Sequence, residues 1–108
     1  MTEVTVVTTF SVTPEHQQEL ADAVVAFARE VVSQHAGFLS ATVLAAADQQ
    51  HVYNIVRWRR REDFEAYSAA PKAGPSASTI MRLSMPVLQL CTVVETVVAP
   101  ASSAQKVR

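Results

Sequence analysis

The segment His51–Trp58 carries the residues whose types and spacing could do chemistry. Its valine, isoleucine and tyrosine content predicts a β-strand, and the two-residue period of a strand places Asn54 and Trp58 on one face. The two lie about 13 Å apart along the strand at ~3.3 Å per residue. An indole offers a flat wall and one N–H donor, while an amide both donates and accepts hydrogen bonds. The pair could therefore receive a ring system and hydrogen-bond to it.

A purely structural role for both residues is the alternative. In that interpretation Asn54 bonds to neighbouring backbone and Trp58 caps the core. Because a buried amide must find hydrogen-bond partners, asparagine is a worse core residue than the valines on either side of it, Val52 and Val56. This cost favours a polar task for Asn54, but the residues alone leave both interpretations open.

Three further side chains are candidates for substrate binding. Tyr67 and Phe64 are three residues apart in a predicted helix over residues 61–70, so they share a face that could line a cavity or pack in the core. Arg82 could steady a phenolate or point to solvent. His51 falls on the opposite face of its strand, so we expect it at the hairpin or at a dimer interface rather than as a base.

Periodicity and turn signals place these residues in a β-α-β-β-α-β order. The predicted strands are residues 3–12, 38–46, 51–58 and 86–98; one helix runs from Pro14 to before Gly37, the other over residues 61–70, and residues 76–85 add another turn or two. This order predicts an α+β, ferredoxin-like fold, in which a four-stranded antiparallel sheet carries its helices on one face. We expect one domain over residues 1–99 and a flexible tail over residues 100–108.

The second face of such a sheet would be left uncovered. Two helices cover only one face, yet the first and last predicted strands place valine on both sides. Leaving apolar area in water costs ~25 cal/mol per Å², so we expect a homodimer packed sheet to sheet. Partly exposed edge residues are the alternative.

Composition excludes several classes of function. With 108 residues, of which 49% are hydrophobic and 18% charged, the chain is one globular domain. Nine Lys and Arg against ten Asp and Glu give a net charge of −1, which creates no field to attract nucleic acid or anionic lipid. The arginines around Trp58, namely Arg57 and residues 59–61, are expected to form a solvated corner rather than a nucleic-acid site.

Cofactor signals are missing from the sequence. A single cysteine excludes an internal disulfide and a cysteine-based zinc site, and the two glycines, Gly37 and Gly74, cannot form a phosphate-binding loop. The three histidines are too widely spaced to form a helical metal pair, and His35, near a helix end, needs no catalytic role. We therefore expect no metal, and a cytoplasmic protein with neither signal peptide nor membrane span.

The stretch N-I-V-R-W-R-R-R-E-D-F-E-A, residues 54–66, resembles the antibiotic biosynthesis monooxygenase family when it is set in this element order and length. The resemblance covers roughly residues 3–98, and it is closest to the small quinone-forming monooxygenases of aromatic polyketide pathways. It implies a ferredoxin-like dimer whose sheets pack into a barrel. It also implies that Asn54 and Trp58 match the asparagine and tryptophan of the substrate pocket.

The activity that the resemblance implies is the oxidation of an anthrone or phenol to a quinone by O₂, without metal, flavin or haem. An anthrone loses a proton from the carbon between its aromatic rings to give an electron-rich carbanion that can reduce oxygen directly. The protein must then supply a dry aromatic slot, a hydrogen-bond donor and correct orientation. Asn54 and Trp58 are expected to act on the small polyketide substrate as catalytic residues.

Three departures from the family pattern affect the site. The haem-degrading branch has an axial histidine where this chain has Tyr67 and Ser68, so haem is disfavoured. The first strand carries Thr8 and Thr9 where some relatives have asparagine, and we expect the Thr8 hydroxyl to substitute in substrate binding. A tyrosine six residues after the tryptophan is replaced by Phe64, which leaves Tyr67 as the nearest hydroxyl.

Two other functions remain open at this point. One is a polyketide cyclase or rearranging enzyme on the same scaffold, which needs a pocket and a proton donor but no oxygen. The other is a non-catalytic dimeric accessory protein, which the departures at Thr8 and Phe64 would favour.

Overall fold

The computed structural model describes residues 2–101 and confirms the ferredoxin-like α+β fold. Its elements in chain order are β1 Val4–Ser11, α1 Gln17–Glu30, β2 Phe38–Ala45, β3 His51–Trp58, α2 Arg61–Ala69, α3 Pro75–Leu83 and β4 Val87–Cys91. Short 3₁₀ turns at Pro14–His16 and Val32–Gln34 flank α1. Residues 102–108 of the predicted tail lie outside the described residues.

The four strands form one antiparallel sheet in the order β2-β3-β1-β4. The first strand of the chain therefore occupies an inner position, between β3 and β4. Its register sets Val6 opposite Val56 and Thr8 opposite Asn54. Since opposite residues of a ladder point to the same face, the alternate residues of β1 and β3 build one continuous surface beneath the helices.

The core lies between that surface and the helices, and it is divided into two clusters. One contains Val4, Val6, Val32, Val56, Trp58 and Phe64. The other contains Phe10, Leu20, Ala23, Val24, Val52 and Ile80. Along β1 and β3, the opposed pair Thr8 and Asn54 falls between the residues of the two clusters.

The last strand differs from the prediction: it ends at Cys91 rather than continuing through residue 98. Within residues 2–101 its only neighbour is β1, and the register pairs Thr5 with Cys91, so β1 ends one residue further along the ladder, at Val4. The valines beyond, such as Val94 at 96% exposure, have no ladder to join. High β-propensity alone does not extend a strand without a partner.

The segment before β4 forms more helix than the sequence indicates. Helix α3 has nine residues, begins with Pro75 at its first turn and buries Ile80 against the second core cluster. No helix within residues 2–101 is long and apolar enough to cross a lipid bilayer.

A tight corner fixes α2 against the end of β3. Gly37, at φ +86°, lies so close to the Asp63 carboxyl group that a Cβ at this position would overlap it. The Arg60 guanidinium binds the same carboxylate at 3.1 Å, and Asp63 is only 8% exposed. The Arg60 hydrogen bond is the main cause that lowers the pKa of Asp63, so the carboxylate stays charged.

We predict that Gly37→Ala destabilises the fold more than Gly74→Ala does. Both glycines have positive φ, at which an alanine costs about 1 kcal/mol, but a Cβ added at Gly74 would have no atom within 4 Å. The overlap with Asp63 adds a packing cost of about 1–3 kcal/mol at Gly37 alone. Urea unfolding of both variants measures the difference, and equal midpoints would contradict the close approach.

Candidate active site

A cavity of about 390 Å³ lies between the helices and the helix-facing side of the sheet. Strands β1 and β3 form its floor, and residues from all three helices surround it. Most of its lining is apolar: Val6, Phe10, Val24, Phe27, Val32, Val56, Trp58, Phe64, Ala77, Ile80, Met81, Pro86 and Leu88. The polar lining residues are Thr8, Asn54, Tyr67, Ser68 and Lys72. A mostly apolar cavity with a few polar groups is typical of a small-molecule site.

The floor carries a polar pair at the centre of the sheet. Thr8 and Asn54 are opposite each other in the β1–β3 ladder and are 8% and 7% exposed. The Asn54 Oδ1 atom is buried and has no hydrogen-bond partner among the described residues. An unpaired buried polar atom costs free energy, so the Asn54 side chain, which lines the cavity, is available for a hydrogen bond to a ligand.

Trp58 forms an aromatic wall at the end of β3 and is 1% exposed. Its ring centre lies 5.2 Å from that of Tyr67, 6.0 Å from that of Phe38 and 6.2 Å from that of Phe64. The Tyr67 ring is tilted by 30° to the indole, whereas Phe38 meets it edge-on. These contacts hold the indole in one orientation beside the cavity.

Tyr67 supplies the hydroxyl that Phe64 lacks. Burial raises the pKa of the Tyr67 phenol to about 12, so the phenol is neutral at physiological pH and keeps its O–H donor. His35 packs edge-on against the same ring, with 5.0 Å between ring centres. This contact gives His35 a packing role, and its position after the 3₁₀ turn offered no sequence signal for it.

The cavity opens beside β4 and the end of α3. Met81 and Leu88, which line this side, are 79% and 48% exposed. Pro86 lies between them in the chain and also lines the cavity. A ligand could therefore enter at this edge without unfolding of the core.

Five of the predicted site residues meet in the cavity, and one does not. Asn54 and Trp58 line it together, as do Thr8, Phe64 and Tyr67; these are the sequence candidates that the fold brings together. Arg82 does not line it, because α3 directs this side chain outward, where its Nη2 binds Glu19 Oε2 of α1 at 2.6 Å. His51 lies on the other strand face and binds Asp48 at 2.7 Å.

Ser68 and Lys72 line the cavity although the sequence analysis gave neither a binding role. Ser68 is four residues after Phe64 on α2, so the helix period places both on one face and could have predicted this position. Lys72 lies in the irregular segment between α2 and α3, whose path no periodicity predicts. Within residues 2–101, no group of three or more His, Cys, Asp or Glu side chains is arranged to hold a metal ion.

Comparisons with known proteins agree with this geometry. A family model described as antibiotic biosynthesis monooxygenase matches residues 3–74. The chain is 35% identical over 89 residues to the tetracenomycin-F1 monooxygenase of Streptomyces glaucescens, a match that covers 82% of this chain and 80% of that protein.

Solved structures show the same architecture. The structure of SnoaB, a cofactor-independent oxygenase from Streptomyces nogalater, aligns with a TM-score of 0.69 at 27% identity, over 89% of this chain and 97% of that one. Rv0793 from Mycobacterium tuberculosis, at 16% identity, shares the fold with a TM-score of 0.69 over 87% of this chain and 97% of that one.

The fold is that of a small ferredoxin-like domain, and the family match and the relatives place it among enzymes of the oxidoreductase class. The chain belongs to the antibiotic biosynthesis monooxygenase family, which confirms the resemblance carried by residues 54–66.

We predict that Asn54→Leu leaves the free energy of unfolding unchanged or raises it by about 1–2 kcal/mol, because it removes an unpaired buried oxygen. Val52→Asn is the matched control. It places an amide at a residue of the same strand face that is 0% exposed, and it should destabilise by about 1–3 kcal/mol. Denaturant unfolding measures both, and a marked loss of stability in Asn54→Leu would show that the amide holds the fold together.

Proposed function

We propose that this protein is a cofactor-independent monooxygenase that oxidises an aromatic polyketide intermediate, an anthrone or phenol, to a quinone with O₂. The observation that carries the proposal is that Asn54 and Trp58 line one largely apolar cavity, the former with an unpaired amide oxygen. The similarity to a tetracenomycin-F1 monooxygenase and to a cofactor-independent oxygenase supports the same reaction type.

The reaction balances without a redox group in the protein. The ring CH₂ of an anthrone and one O₂ give the ring C=O of a quinone and one water. Loss of a proton from the CH₂ carbon gives a carbanion, which passes an electron to O₂. The carbon and oxygen radicals then combine to a peroxide, which eliminates water. The enzyme's task is to favour the carbanion and to hold it where oxygen can reach it.

Each cavity residue has a task that its geometry supports. The Asn54 side-chain N–H and the Thr8 hydroxyl, at the centre of the floor, can donate hydrogen bonds to the oxygen that gains charge when the ring carbon loses its proton. The unpaired Asn54 Oδ1 can accept a hydrogen bond from a substrate hydroxyl. The neutral Tyr67 phenol can donate to a second ring oxygen. Trp58 gives the flat ring a wall to stack on. The scarcity of polar lining makes each of these hydrogen bonds stronger than it would be in water.

We also propose that the enzyme is a homodimer packed through the open face of the sheet. On that face Ile55 of β3 pairs with Val7 of β1, and Val87 of β4 is 62% exposed. The segment after β4 adds Val93, Val94, Val97 and Val98, which are 58–96% exposed. Apolar side chains exposed in this number mark an interaction surface.

We predict that wild-type protein accelerates oxygen uptake with a dihydroxyanthrone above the non-enzymatic rate. Asn54→Ala should lower kcat/KM by about 10²-fold, since it removes a charge-stabilising group, and Trp58→Phe by about tenfold. Arg61→Gln, which removes an exposed partner of Glu65 on α2, is the control and should leave the rate unchanged.

Full activity in both site variants would refute the assignment of the site. Turnover of the substrate under strictly anaerobic conditions would refute the oxygenase proposal and favour a cyclase or rearranging enzyme.

We predict that the wild-type protein sediments at twice the 11.7 kDa chain mass and that Ile55→Lys sediments as a monomer. Burying a lysine charge at the centre of a sheet-to-sheet interface costs several kcal/mol. Gln18→Lys adds the same charge on the exposed side of α1 and should remain dimeric. A monomeric wild-type protein at micromolar concentration would show that the open face is not a dimer interface.

A further inference from the structure

Lys72 is the one charged side chain among the described residues that line the cavity. It follows α2 by three residues, after Ala70 and Pro71. Ala70 is extended, at φ −75° and ψ 146°, as expected for a residue before proline. Helix α2 therefore ends here, and the Lys72 side chain reaches back to the carbonyl groups of its last turn.

All three N–H donors of the Lys72 ammonium group have acceptors in the backbone. The Nζ atom donates to the carbonyl oxygens of Tyr67 at 2.7 Å, Ser68 at 2.9 Å and Ala70 at 2.5 Å. Tyr67 and Ser68 lie in the last turn of α2 and Ala70 is its C-cap, where the carbonyl groups carry the negative end of the helix dipole. The Tyr67 carbonyl also accepts from Ala70 N–H at 3.1 Å. An ammonium group has three donors, so none remains for a ligand.

The same ammonium group lies over the face of the Tyr67 ring, with Nζ 4.5 Å from the ring centre. A cation in this position is attracted by the ring electrons. Partial burial lowers the pKa of Lys72, and the carbonyls and the ring are what hold the charged form in place against that cost. Tyr67 in turn packs against Trp58, with 5.2 Å between the ring centres. The side chains of Lys72, Tyr67 and Trp58 therefore form one continuous stack at the cavity wall.

We propose that Lys72 is a positioning residue that fixes the Tyr67 ring against Trp58. Lys72 thereby sets the width of the cavity, which both rings line, for a flat aromatic substrate. This role depends on the proposed function only for the identity of the substrate. Lys72 acts through Tyr67, because its own donors are occupied and its cation faces the ring. Its role is therefore to keep the Tyr67 hydroxyl and the aromatic wall in a fixed relation.

The test compares Lys72→Met, which keeps length but removes charge, with Lys72→Arg, which keeps the cation. Calorimetry with a dihydroxyanthraquinone measures binding without turnover. Loss of the cation–π contact should weaken binding by about fivefold in Lys72→Met, whereas Lys72→Arg should stay within about twofold of wild type. Arg61→Met, which removes an exposed charge at the start of α2, should bind like wild type.

A double-mutant cycle with Tyr67→Leu distinguishes an effect of Lys72 through the Tyr67 ring from direct contact of Lys72 with the ligand. If Lys72 acts through the ring, Lys72→Met has no further effect on binding once the ring is gone. An equal loss in both backgrounds would mean direct contact with the ligand and would overturn the proposal. A lower melting temperature with unchanged binding would also overturn it, because it would leave Lys72 only a structural role.

The near-ultraviolet circular dichroism of Trp58 gives a second readout if Tyr67→Leu fails to fold. Trp58 is the only tryptophan, and its signal depends on coupling to neighbouring rings. The signal should change in Lys72→Met and be retained in Lys72→Arg; an unchanged signal in Lys72→Met would overturn the proposal. A wild-type protein that binds the quinone but takes up no oxygen refutes the oxygenase proposal and leaves this test intact.

Discussion

The arrangement of the site depends on one pairing across the two inner strands. Thr8 and Asn54 meet in the β1–β3 ladder, on the face where every neighbour in register is apolar. Apolar side chains cannot satisfy an amide, so the core does not close over this point and divides into two clusters. The cavity is the space that remains between them, and its polar floor and apolar walls follow from the same pairing.

A second constraint keeps the aromatic wall in place above that floor. Helix α2 carries Phe64 and Tyr67, and its start is fixed by the contact of Asp63 with Gly37 and with Arg60. At its C-terminal end, the Tyr67 carbonyl oxygen accepts a hydrogen bond from the Lys72 ammonium group. A helix of nine residues has little stability of its own, so these contacts at both ends determine where its aromatic side chains lie.

The sequence predicts the fold and most of the site because strand parity and helix period are strong local signals. Parity alone places Asn54 and Trp58 on one face, and the three-residue spacing joins Phe64 to Tyr67. Where the sequence did not decide the structure, a tertiary contact did. The end of β4 is set by the length of β1, and the outward position of Arg82 by its ion pair with Glu19 of α1. The place of Lys72 is set by its hydrogen bonds to the carbonyl groups at the end of α2.

The inner position of β1 has a consequence for synthesis of the chain. This valine-rich strand is made well before both of its neighbours, β3 and β4. Only the β2–β3 hairpin forms between residues close in sequence, so the high contact order delays completion of the sheet. Until β3 and β4 have been made, both edges of β1 are open to pairing with other chains.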